Sequence, residues 1–338
     1  MDCKIYKYEI PQIVFLQNML HSYPRVFLFI NYLLNSETLF NILIPILSGL
    51  DKDIFLRTII GGLLADFLNS HLKWLLAEPR PHWWVLGESR RPRLVQYEGT
   101  CECTPGSPSG EAMVTAAVFF ILISRLLGKF EYHVTKCWKK VIWMAYAAIL
   151  ILLTVSQIFL GVHFPHQCIF GVIAGLIIGG ILSIPRVMDK IYSLSKIKCF
   201  TIICMMFLCD CATYMMQIYL GVDPNWSTRL AFKYCENAKA ILPESLIMYS
   251  LIRNLGIFVG ILSFAPLNVC RPCVSDSCKL FLRSILKIIL GMLGHHYIPR
   301  HYGVYIFYGS TVSFYAVYYF ILYWIFTLKW PRKLEKFD

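Results

Sequence analysis

The fold is decided by residues 141–184, which read VIWMAYAAILILLTVSQIFLGVHFPHQCIFGVIAGLIIGGILSI. Two apolar runs, Val141–Leu160 and Cys168–Ile184, flank a short turn that contains Gly161 and His163. A membrane-spanning helix needs about 20 mostly apolar residues, and each run approaches that length. Both runs are apolar nearly all round, whereas a surface helix of a soluble protein keeps one polar face. The stretch therefore predicts two antiparallel membrane helices joined at one face of the membrane.

The composition of the whole chain agrees with a membrane protein. Of its 338 residues, 57% are hydrophobic and only 15% are charged, and the mean hydropathy is +0.58. Soluble domains carry roughly a quarter charged residues, so the composition excludes a pair of ordinary soluble domains. Abundant aromatic and aliphatic side chains exclude a disordered chain. The formal net charge of +12 could suggest a nucleic-acid partner. If the basic residues lie in alternate loops, however, they orient a membrane protein and no nucleic-acid partner is needed to explain them.

Seven further apolar segments extend the pattern to an all-α, polytopic helical bundle that forms a single membrane domain over residues 1–338. The nine predicted spans are Val26–Leu47, Phe55–Leu76, Ala112–Leu127, Val141–Leu160, Cys168–Ile184, Phe200–Leu220, Leu246–Phe264, Leu280–Leu293 and Val304–Phe326. The first, third and eighth are short or interrupted by polar residues. A soluble core of buried helices is the alternative, and it would need amphipathic surface helices that these segments do not provide.

The loops between the predicted spans alternate in charge. Loops after spans three, five and seven, together with the tail, hold the basic residues Lys129, Lys136, Lys139, Lys140, Arg186, Lys190, Lys196, Lys198, Arg271, Lys279, Lys329, Arg332, Lys333 and Lys336. The positive-inside rule makes these segments cytosolic, which leaves the N-terminus on the non-cytosolic side and the C-terminus in the cytosol. The triplet Asn225-Trp226-Ser227 then falls in a non-cytosolic loop, where Asn225 is a candidate glycosylation site.

The 13 cysteines are scattered over both sides of the membrane and over the spans. Cys101, Cys103 and Cys235 lie on the predicted oxidising side, where one disulfide is possible. A cytosolic group has zinc-like spacing but lacks a fourth ligand, so we expect no metal there. Its members are Cys270, Cys273 and Cys278.

Polar residues concentrate in three clusters at the non-cytosolic ends of spans two to five. In the first, Lys73 and Arg80 are seven residues apart, and Pro79 is expected to end the helix so that Arg80 lies on the loop just above Lys73. Two converging cations suit an anion with several oxygens, because arginine grips phosphate with two parallel hydrogen bonds. A lysine that reaches the membrane interface beside a solvated arginine is the alternative interpretation.

The second cluster, at residues 105–111, opens span three. Ser109 is a good N-cap and Gly110 lets a ligand approach the backbone. A helix N-terminus offers free N–H groups and a partial positive charge, which together bind phosphate. Glu111 in the first turn has a simpler role open to it, a favourable interaction with the helix dipole.

The third cluster, at residues 156–167, is the turn between spans four and five and includes Ser156, Gln157 and His163. A lone histidine at a span end is commonly structural, but imidazole is also a competent phosphate nucleophile at neutral pH. The predicted topology puts all three clusters on one side of the membrane. Two cations, a helix N-terminus and a histidine indicate a phosphoryl-transfer site that needs no metal or other cofactor.

The three clusters resemble the motifs of the membrane lipid-phosphatase and vanadium-haloperoxidase superfamily, Lys-x6-Arg-Pro, Pro-Ser-Gly-His and Ser-Arg-x5-His-x3-Asp. Residues that match them are Lys73, Arg80, Pro81, Pro108, Ser109, Gly110, Ser156 and His163. Within that superfamily the chain is similar to the glucose-6-phosphatase catalytic subunits, in residues 80–86, 101–102, 106–110 and 163–167. Gln167 replaces the superfamily aspartate, as it does in that branch. Weaker similarity continues through residues 221–223 and 253–256, so the resemblance covers nearly the whole chain.

The resemblance implies a nine-span enzyme of the endoplasmic-reticulum membrane that hydrolyses glucose 6-phosphate to glucose and phosphate at a luminal site. His163 would form a phosphohistidine, while Lys73, Arg80 and the amides near Ser109 and Gly110 would hold the phosphate oxygens. The resemblance also implies coupling to a transporter that brings glucose 6-phosphate into the lumen. Membrane lipids are the other expected partners, and no nucleic acid is expected.

Two positions depart from the family pattern. Glu111 stands where the family has the histidine that protonates the leaving oxygen, and Gln157 stands where it has a phosphate-binding arginine. Loss of that arginine removes transition-state stabilisation, and an ionised Glu111 would repel an anionic substrate. If the bound phosphate and partial burial raise the pKa of Glu111, it can replace the histidine as the acid.

Four functions therefore stay open at this stage. They are a glucose-6-phosphatase or close sugar-phosphate phosphatase, a family member without catalysis that serves in binding, regulation or assembly, a phosphatase of another phosphoester such as a lipid phosphate, and a transporter. The transporter hypothesis depends on polar residues inside the predicted spans, which more often bond across a helix bundle. These residues are Asp66, Asn69, Asp210 and Arg253.

Overall fold

The computed structural model describes residues 4–87, 94–235, 246–264, 267, 277–298 and 304–327. Within these ranges the chain is helical and contains no β-strand, so the predicted all-α class is confirmed. The helices are α1 (Lys4–Met19), α2 (Pro24–Leu33), α3 (Ser36–Thr38), α4 (Ile44–Leu50), α5 (Lys52–Leu76), α6 (Pro81–Leu86), α7 (Gly110–Lys129), α8 (Lys136–Phe159), α9 (Pro165–Ser183), α10 (Pro185–Tyr192), α11 (Lys196–Tyr219), α12 (Trp226–Tyr234), α13 (Ile247–Leu262), α14 (Ser277–His296) and α15 (Val304–Thr327), with a π-helical turn at Leu39–Leu43.

A helix lies at each of the nine predicted span positions. Among the described residues, five of these helices are long and apolar enough to cross a membrane: α7, α8, α9, α11 and the Tyr305–Tyr323 part of α15. They correspond to predicted spans three, four, five, six and nine. A sixth qualifies if the bent pair Pro24–Leu33 and Ser36–Ser48 forms one span. The chain is thus a multi-pass helical membrane protein, and the full count of nine stays a prediction.

The first predicted span is bent by 47° between α2 and the helical segment that follows it. Asn35 lies at the bend in an extended conformation, and its side-chain oxygen accepts a hydrogen bond from the Glu37 amide at 2.8 Å. The π-helical turn then follows directly. Asparagine favours such caps because its short side chain replaces a lost helical hydrogen bond, so a helix ends and a new one begins within the apolar run.

Helix α5, the second predicted span, is central to the bundle and carries charged residues that lower its hydropathy. At one end Asp53 accepts hydrogen bonds from Arg57 at 2.9 Å, from Arg125 and from the Tyr192 hydroxyl at 3.0 Å. A buried charge is stable only when it is paired and hydrogen-bonded. The charges of α5 therefore fit the inside of a helix bundle rather than contact with lipid.

Small residues let α7 and α9 approach each other closely. A Cβ atom on Gly175 of α9 would lie 2.2 Å from the Met113 carbonyl oxygen of α7, and one on Gly171 would lie 2.5 Å from the Ser109 carbonyl oxygen. Glycines four residues apart on one helix face are typical of tightly packed membrane helices. This packing fixes the first turn of α7 against the first turn of α9.

The polar residues inside the predicted spans bond across the bundle. Asp66 accepts from Arg253 at 2.6 Å and from Asn254 at 2.8 Å. Asp210 lies 2.8 Å from the His71 ring, and Asn69 donates to the Pro108 carbonyl at 2.9 Å. These contacts match the structural role that such residues commonly have in membrane helices. They do not favour the transporter hypothesis.

Candidate active site

The three polar clusters of the sequence meet at one end of the helices α5, α7, α8 and α9. Helix α5 ends at Leu76, because Ala77 adopts a left-handed conformation with φ of 48°. The chain turns there, earlier than the predicted stop at Pro79, and Arg80 becomes the N-cap of α6. Arg80 is thereby placed beside Lys73 of the last turn of α5, as the sequence predicts. Both side chains are buried.

The hydroxyl of Thr104 links the two cations. Lys73 Nζ donates to Thr104 Oγ1 at 2.7 Å, and Arg80 Nη2 donates to the same oxygen at 2.8 Å. Arg80 Nε also donates to the Thr104 carbonyl at 2.7 Å, and Nη2 donates to Glu102 at 2.5 Å. The segment 101–104 thus holds both cations in one place.

His163 lies in the turn between α8 and α9 and is fully buried. Its Nδ1 lies 2.7 Å from the Gly106 carbonyl, which can only accept, so Nδ1 carries the proton and Nε2 carries a lone pair. Nε2 faces Arg80 Nη1 at 3.4 Å and Glu111 Oε2 at 3.5 Å. Burial and the Arg80 charge lower the pKa of His163, against the opposing effect of Glu111. The geometry thus presents a neutral imidazole nitrogen next to a guanidinium.

The first turn of α7 provides the helix N-terminus of the site. Ser109 is its N-cap and accepts from the Ala112 amide at 3.2 Å. The same hydroxyl donates to Gln157 Oε1 at 2.8 Å, so it is engaged within the protein. The Ser109 amide likewise donates to the Gln167 carbonyl at 3.1 Å, which leaves the Gly110 amide as the group of this turn that a ligand can reach. At Gly110 a Cβ atom would lie 2.9 Å from Asn69 Oδ1, which explains glycine there.

Gln157 and Glu111 form a pair at the positions that depart from the family motif. Gln157 is fully buried and donates to Glu111 Oε2 at 3.2 Å. Its oxygen accepts from Ser109 and from the Cys168 thiol at 3.3 Å. Gln157 therefore holds the Glu111 carboxylate close to His163 rather than presenting a positive charge.

Solvent reaches the site at two carboxylates. The Glu102 side chain is 22% exposed and the Glu111 side chain is 13% exposed, whereas the side chains of Arg80 and His163 are at most 4% exposed. One oxygen from each carboxylate and a ring nitrogen of His163 lie within 4.8 Å of one another, a spacing that a metal ion could occupy. Glu102 is already paired with Arg80, however, and two cations at the same place favour an anion.

The residues Glu102 and Thr104 are site components that the sequence reasoning did not assign. They alternate with Cys101 and Cys103 along the chain, and this alternation of polar residues and cysteines is the signal that points to them. Cys101 forms a disulfide with Cys235, with the two Cα atoms 6.0 Å apart. Cys103 is buried and is not part of this disulfide. Of the three cysteines considered for a disulfide, the structure therefore pairs Cys101 with Cys235.

A second polar network lies beside the site and was also missed. The His166 ring contacts Glu9 of α1 at 2.6 Å and Glu78 at 2.9 Å, and Gln167 donates to Glu78 at 3.1 Å. Burial alone would raise the pKa of Glu78, but the hydrogen bonds from His166 and Gln167 outweigh it and hold that pKa below its usual value. The Glu78 carbonyl accepts from the Gly106 amide at 2.8 Å. The network thus ties α1 to the loop that positions His163.

Other residues singled out in the sequence lie apart from the site. The Ser156 hydroxyl donates to the Phe27 carbonyl at 2.8 Å. Asn225 is exposed at the start of α12, where its glycosylation stays a prediction. Cys270 and Cys273 lie outside the described residues, as does the side chain of Cys278.

The chain is similar in sequence to several known proteins. The family model described as the PAP2 superfamily matches residues 55–188. The chain is 31% identical to glucose-6-phosphatase catalytic subunit 1 of Haplochromis nubilus, over 73% of this chain and 72% of that protein. It is 30% identical to glucose-6-phosphatase 3 of Homo sapiens, over 82% and 81%, and 29% identical to glucose-6-phosphatase catalytic subunit 1 of Bos taurus, over 75% and 72%. No solved structure matches the chain.

Proposed function

The chain belongs to the glucose-6-phosphatase family of the PAP2 superfamily, and from this premise we propose that it hydrolyses glucose 6-phosphate to glucose and phosphate. The observation that carries the proposal is the position of His163 Nε2, 3.4 Å from Arg80 Nη1. A ring nitrogen that carries a lone pair, and a guanidinium beside it that stabilises negative charge, are what attack on an anionic phosphoryl group requires. Lys73, joined to Arg80 through Thr104, supplies the second positive charge.

In the proposed first step, His163 Nε2 attacks phosphorus, and the bond from phosphorus to the sugar oxygen breaks. The sugar oxygen takes a proton from Glu111 and leaves as the hydroxyl of glucose. The Gly106 carbonyl keeps Nδ1 protonated and aims Nε2 at the phosphorus. In the second step, water attacks the phosphohistidine, gives a proton back to Glu111 and releases inorganic phosphate. Lys73, Arg80 and the backbone amide of Gly110 hold the phosphate oxygens in both steps, whereas the Ser109 amide already donates to the Gln167 carbonyl at 3.1 Å.

Glu111 and Gln157 make this a slower enzyme than one with histidine and arginine at those positions. Gln157 adds no charge, so the cations Lys73 and Arg80 face two carboxylates, Glu102 and Glu111. Glu111 donates a proton only when a phosphate anion beside it favours the protonated carboxyl. The hydrogen bond between Gln157 and Glu111 at 3.2 Å also favours a second candidate function. In it the chain binds a phosphorylated ligand, or regulates or assembles with a partner, without turnover.

We further propose that the chain forms a single membrane domain of nine spans in the endoplasmic-reticulum membrane, with the active site in the lumen. The basic loops after spans three, five and seven support this orientation, which makes the N-terminus luminal and the C-terminus cytosolic. A glucose-6-phosphate transporter would then deliver the substrate, and membrane lipids would surround the bundle. Asn225 would lie in the lumen, within reach of glycosylation.

The proposal is tested by expressing the chain in microsomes that lack the native enzyme, permeabilising them and measuring phosphate release from glucose 6-phosphate. We expect release that disappears in His163→Ala. Release that survives His163→Ala would contradict the assigned nucleophile. Faster hydrolysis of a lipid phosphate than of the sugar phosphate would favour a phosphatase of another phosphoester.

The second candidate function predicts a different result in the same assay. The wild type and His163→Ala would then release phosphate equally slowly. The double substitution Glu111→His with Gln157→Arg would raise turnover, because it returns the acid and the cation of the family motif to the site. Asn225→Gln is the matched control for expression, since its side chain lies apart from the site.

A further inference from the structure

The Thr104 hydroxyl has an unusual set of partners. An alcohol oxygen has two lone pairs and one proton. Both lone pairs of Thr104 Oγ1 are taken, by Lys73 Nζ at 2.7 Å and by Arg80 Nη2 at 2.8 Å. Among the hydrogen bonds of the described residues, none gives the proton of this hydroxyl an acceptor. Within the described part of the chain, the hydroxyl is therefore a donor without an acceptor.

The contacts of segment 101–104 show which of its side chains face the cations. The two cysteines and the two polar residues alternate along this segment and contact different neighbours. Cys101 and Cys103 pack with Trp83 and α12, where Cys101 bonds Cys235. Glu102 and Thr104 point the other way, toward Lys73 and Arg80. The disulfide anchors the outer side of the segment, and the threonine and the glutamate occupy its inner side.

An anion that contacts both cations also comes within reach of Thr104. Lys73 Nζ and Arg80 Nη2 each lie less than 3 Å from Oγ1, so an oxygen placed between the two cations is next to the hydroxyl as well. The lysine and the guanidinium withdraw electron density from the hydroxyl oxygen, which makes its proton a stronger donor. The hydroxyl would then add a hydrogen bond to an anion that the two positive charges attract.

We propose that Thr104 donates a hydrogen bond to a phosphoryl oxygen of the ligand and is a further phosphate-binding residue of this site. This hydrogen bond replaces part of the phosphate binding that is lost because Gln157 stands in place of the family arginine. This inference rests on the proposed function only in that the ligand carries a phosphoryl group. It does not depend on whether that group is transferred.

Binding of inorganic phosphate tests the proposal without turnover. The purified full-length chain carrying His163→Ala is heated in detergent over a series of phosphate concentrations, and the dissociation constant follows from the rise in melting temperature. In that background we expect Thr104→Val to weaken phosphate binding about 10- to 100-fold, the value of a hydrogen bond to a charged group. Thr104→Ser keeps the hydroxyl and should bind within about threefold of the parent.

Thr100→Val is the matched control, since Thr100 is a buried threonine of the same loop whose hydroxyl donates to the Tyr97 carbonyl at 2.6 Å, away from the cations. It should bind phosphate like the parent. Thr104→Ala is a second hydroxyl-free variant that leaves room for water and should show the same loss as Thr104→Val. Unchanged phosphate binding in both Thr104 variants would overturn the proposal. So would a large fall in the phosphate-free melting temperature of both, because the hydroxyl would then serve the fold.

Failure of this inference is distinguishable from failure of the proposed function. If wild-type microsomes release no phosphate from glucose 6-phosphate while phosphate binding still depends on the Thr104 hydroxyl, the hydrolysis proposal fails and the Thr104 proposal stands. If phosphate is released and its binding ignores Thr104, only the Thr104 proposal fails.

Discussion

Replacing Glu111 by glutamine removes one negative charge beside the proposed nucleophile and keeps the shape of the side chain. Glu111 Oε2 lies 3.5 Å from His163 Nε2, so a phosphoryl group on or near that nitrogen has oxygens about 4 Å from the carboxylate. Two unit charges at about 4 Å interact by about 4 kcal/mol at an effective dielectric constant of 20 and by about 1 kcal/mol in water. The Glu111 side chain is 13% exposed, which puts the site between these limits.

We therefore expect Glu111→Gln to tighten the binding of inorganic phosphate by about tenfold or more, since about 1.4 kcal/mol corresponds to a factor of ten. The same substitution removes the proton donor for the sugar oxygen and should lower kcat by about 10² to 10⁴. Tighter binding and slower turnover in one variant would separate the two roles of this carboxylate.

The assay measures glucose 6-phosphate hydrolysis in permeabilised microsomes, with inorganic phosphate as a competing ligand. Glu98→Gln is the control, because Glu98 is an exposed glutamate of the same loop. Unchanged phosphate inhibition and unchanged kcat would refute the placement of Glu111 against the phosphoryl group. A higher kcat in Glu111→Gln would refute its role as acid and leave only its repulsion of the substrate.

Three further predictions concern the nucleophile and the bundle. The pKa of His163 is lowered by burial and by Arg80, so the imidazole stays neutral to lower pH than a free histidine does. On acidification, kcat/KM should therefore decline only below about pH 6.5, and a decline that begins above that pH in a pH series would contradict the assignment. Gly175→Ala should destabilise the chain by about 1–3 kcal/mol, since its Cβ would lie 2.2 Å from the Met113 carbonyl oxygen. The control is Gly180→Ala on the same helix, where a Cβ has no neighbour within 4 Å. This variant should melt at the same temperature as the wild type in detergent. Arg253→Ala leaves Asp66 buried without its ion-pair partner and should lower the free energy of unfolding by about 3–5 kcal/mol. The control is Arg229→Ala, which should change the melting temperature little because the Arg229 side chain is 72% exposed. Equal effects of the two substitutions would count against the buried pair.

Local patterns in the sequence were sufficient to predict the class of the fold and the meeting of the three clusters. Apolar runs locate helices directly, and short loops force consecutive helices to place their ends together. Lys73, Arg80, Ser109 and His163 all lie at such helix ends, so their convergence followed from topology alone.

Features that depend on partners far along the chain were not predictable in this way. The contact between His166 and Glu9 joins residues 157 positions apart, and no local pattern encodes it. The charged residues of α5 have partners on other helices, among them Asp66 with Arg253, 187 positions away. The hydropathy of α5 alone therefore does not show that its charges are paired inside the bundle. The contact of Thr104 with Lys73 was not predicted, because it depends on how a loop without regular secondary structure folds back onto α5, which no local sequence pattern indicates.

The disulfide between Cys101 and Cys235 also constrains the count of membrane crossings. Two residues joined by a covalent bond lie on the same side of a bilayer, so the chain must cross it an even number of times between them. Four of the helices that qualify as spans lie in that interval, which is an even number. With an odd number of spans there, the two cysteines would lie on opposite sides of the membrane, one of them in the reducing cytosol, and they could not form a disulfide. The disulfide therefore requires an even number of crossings in this part of the chain, and this requirement is independent of hydropathy and of loop charge.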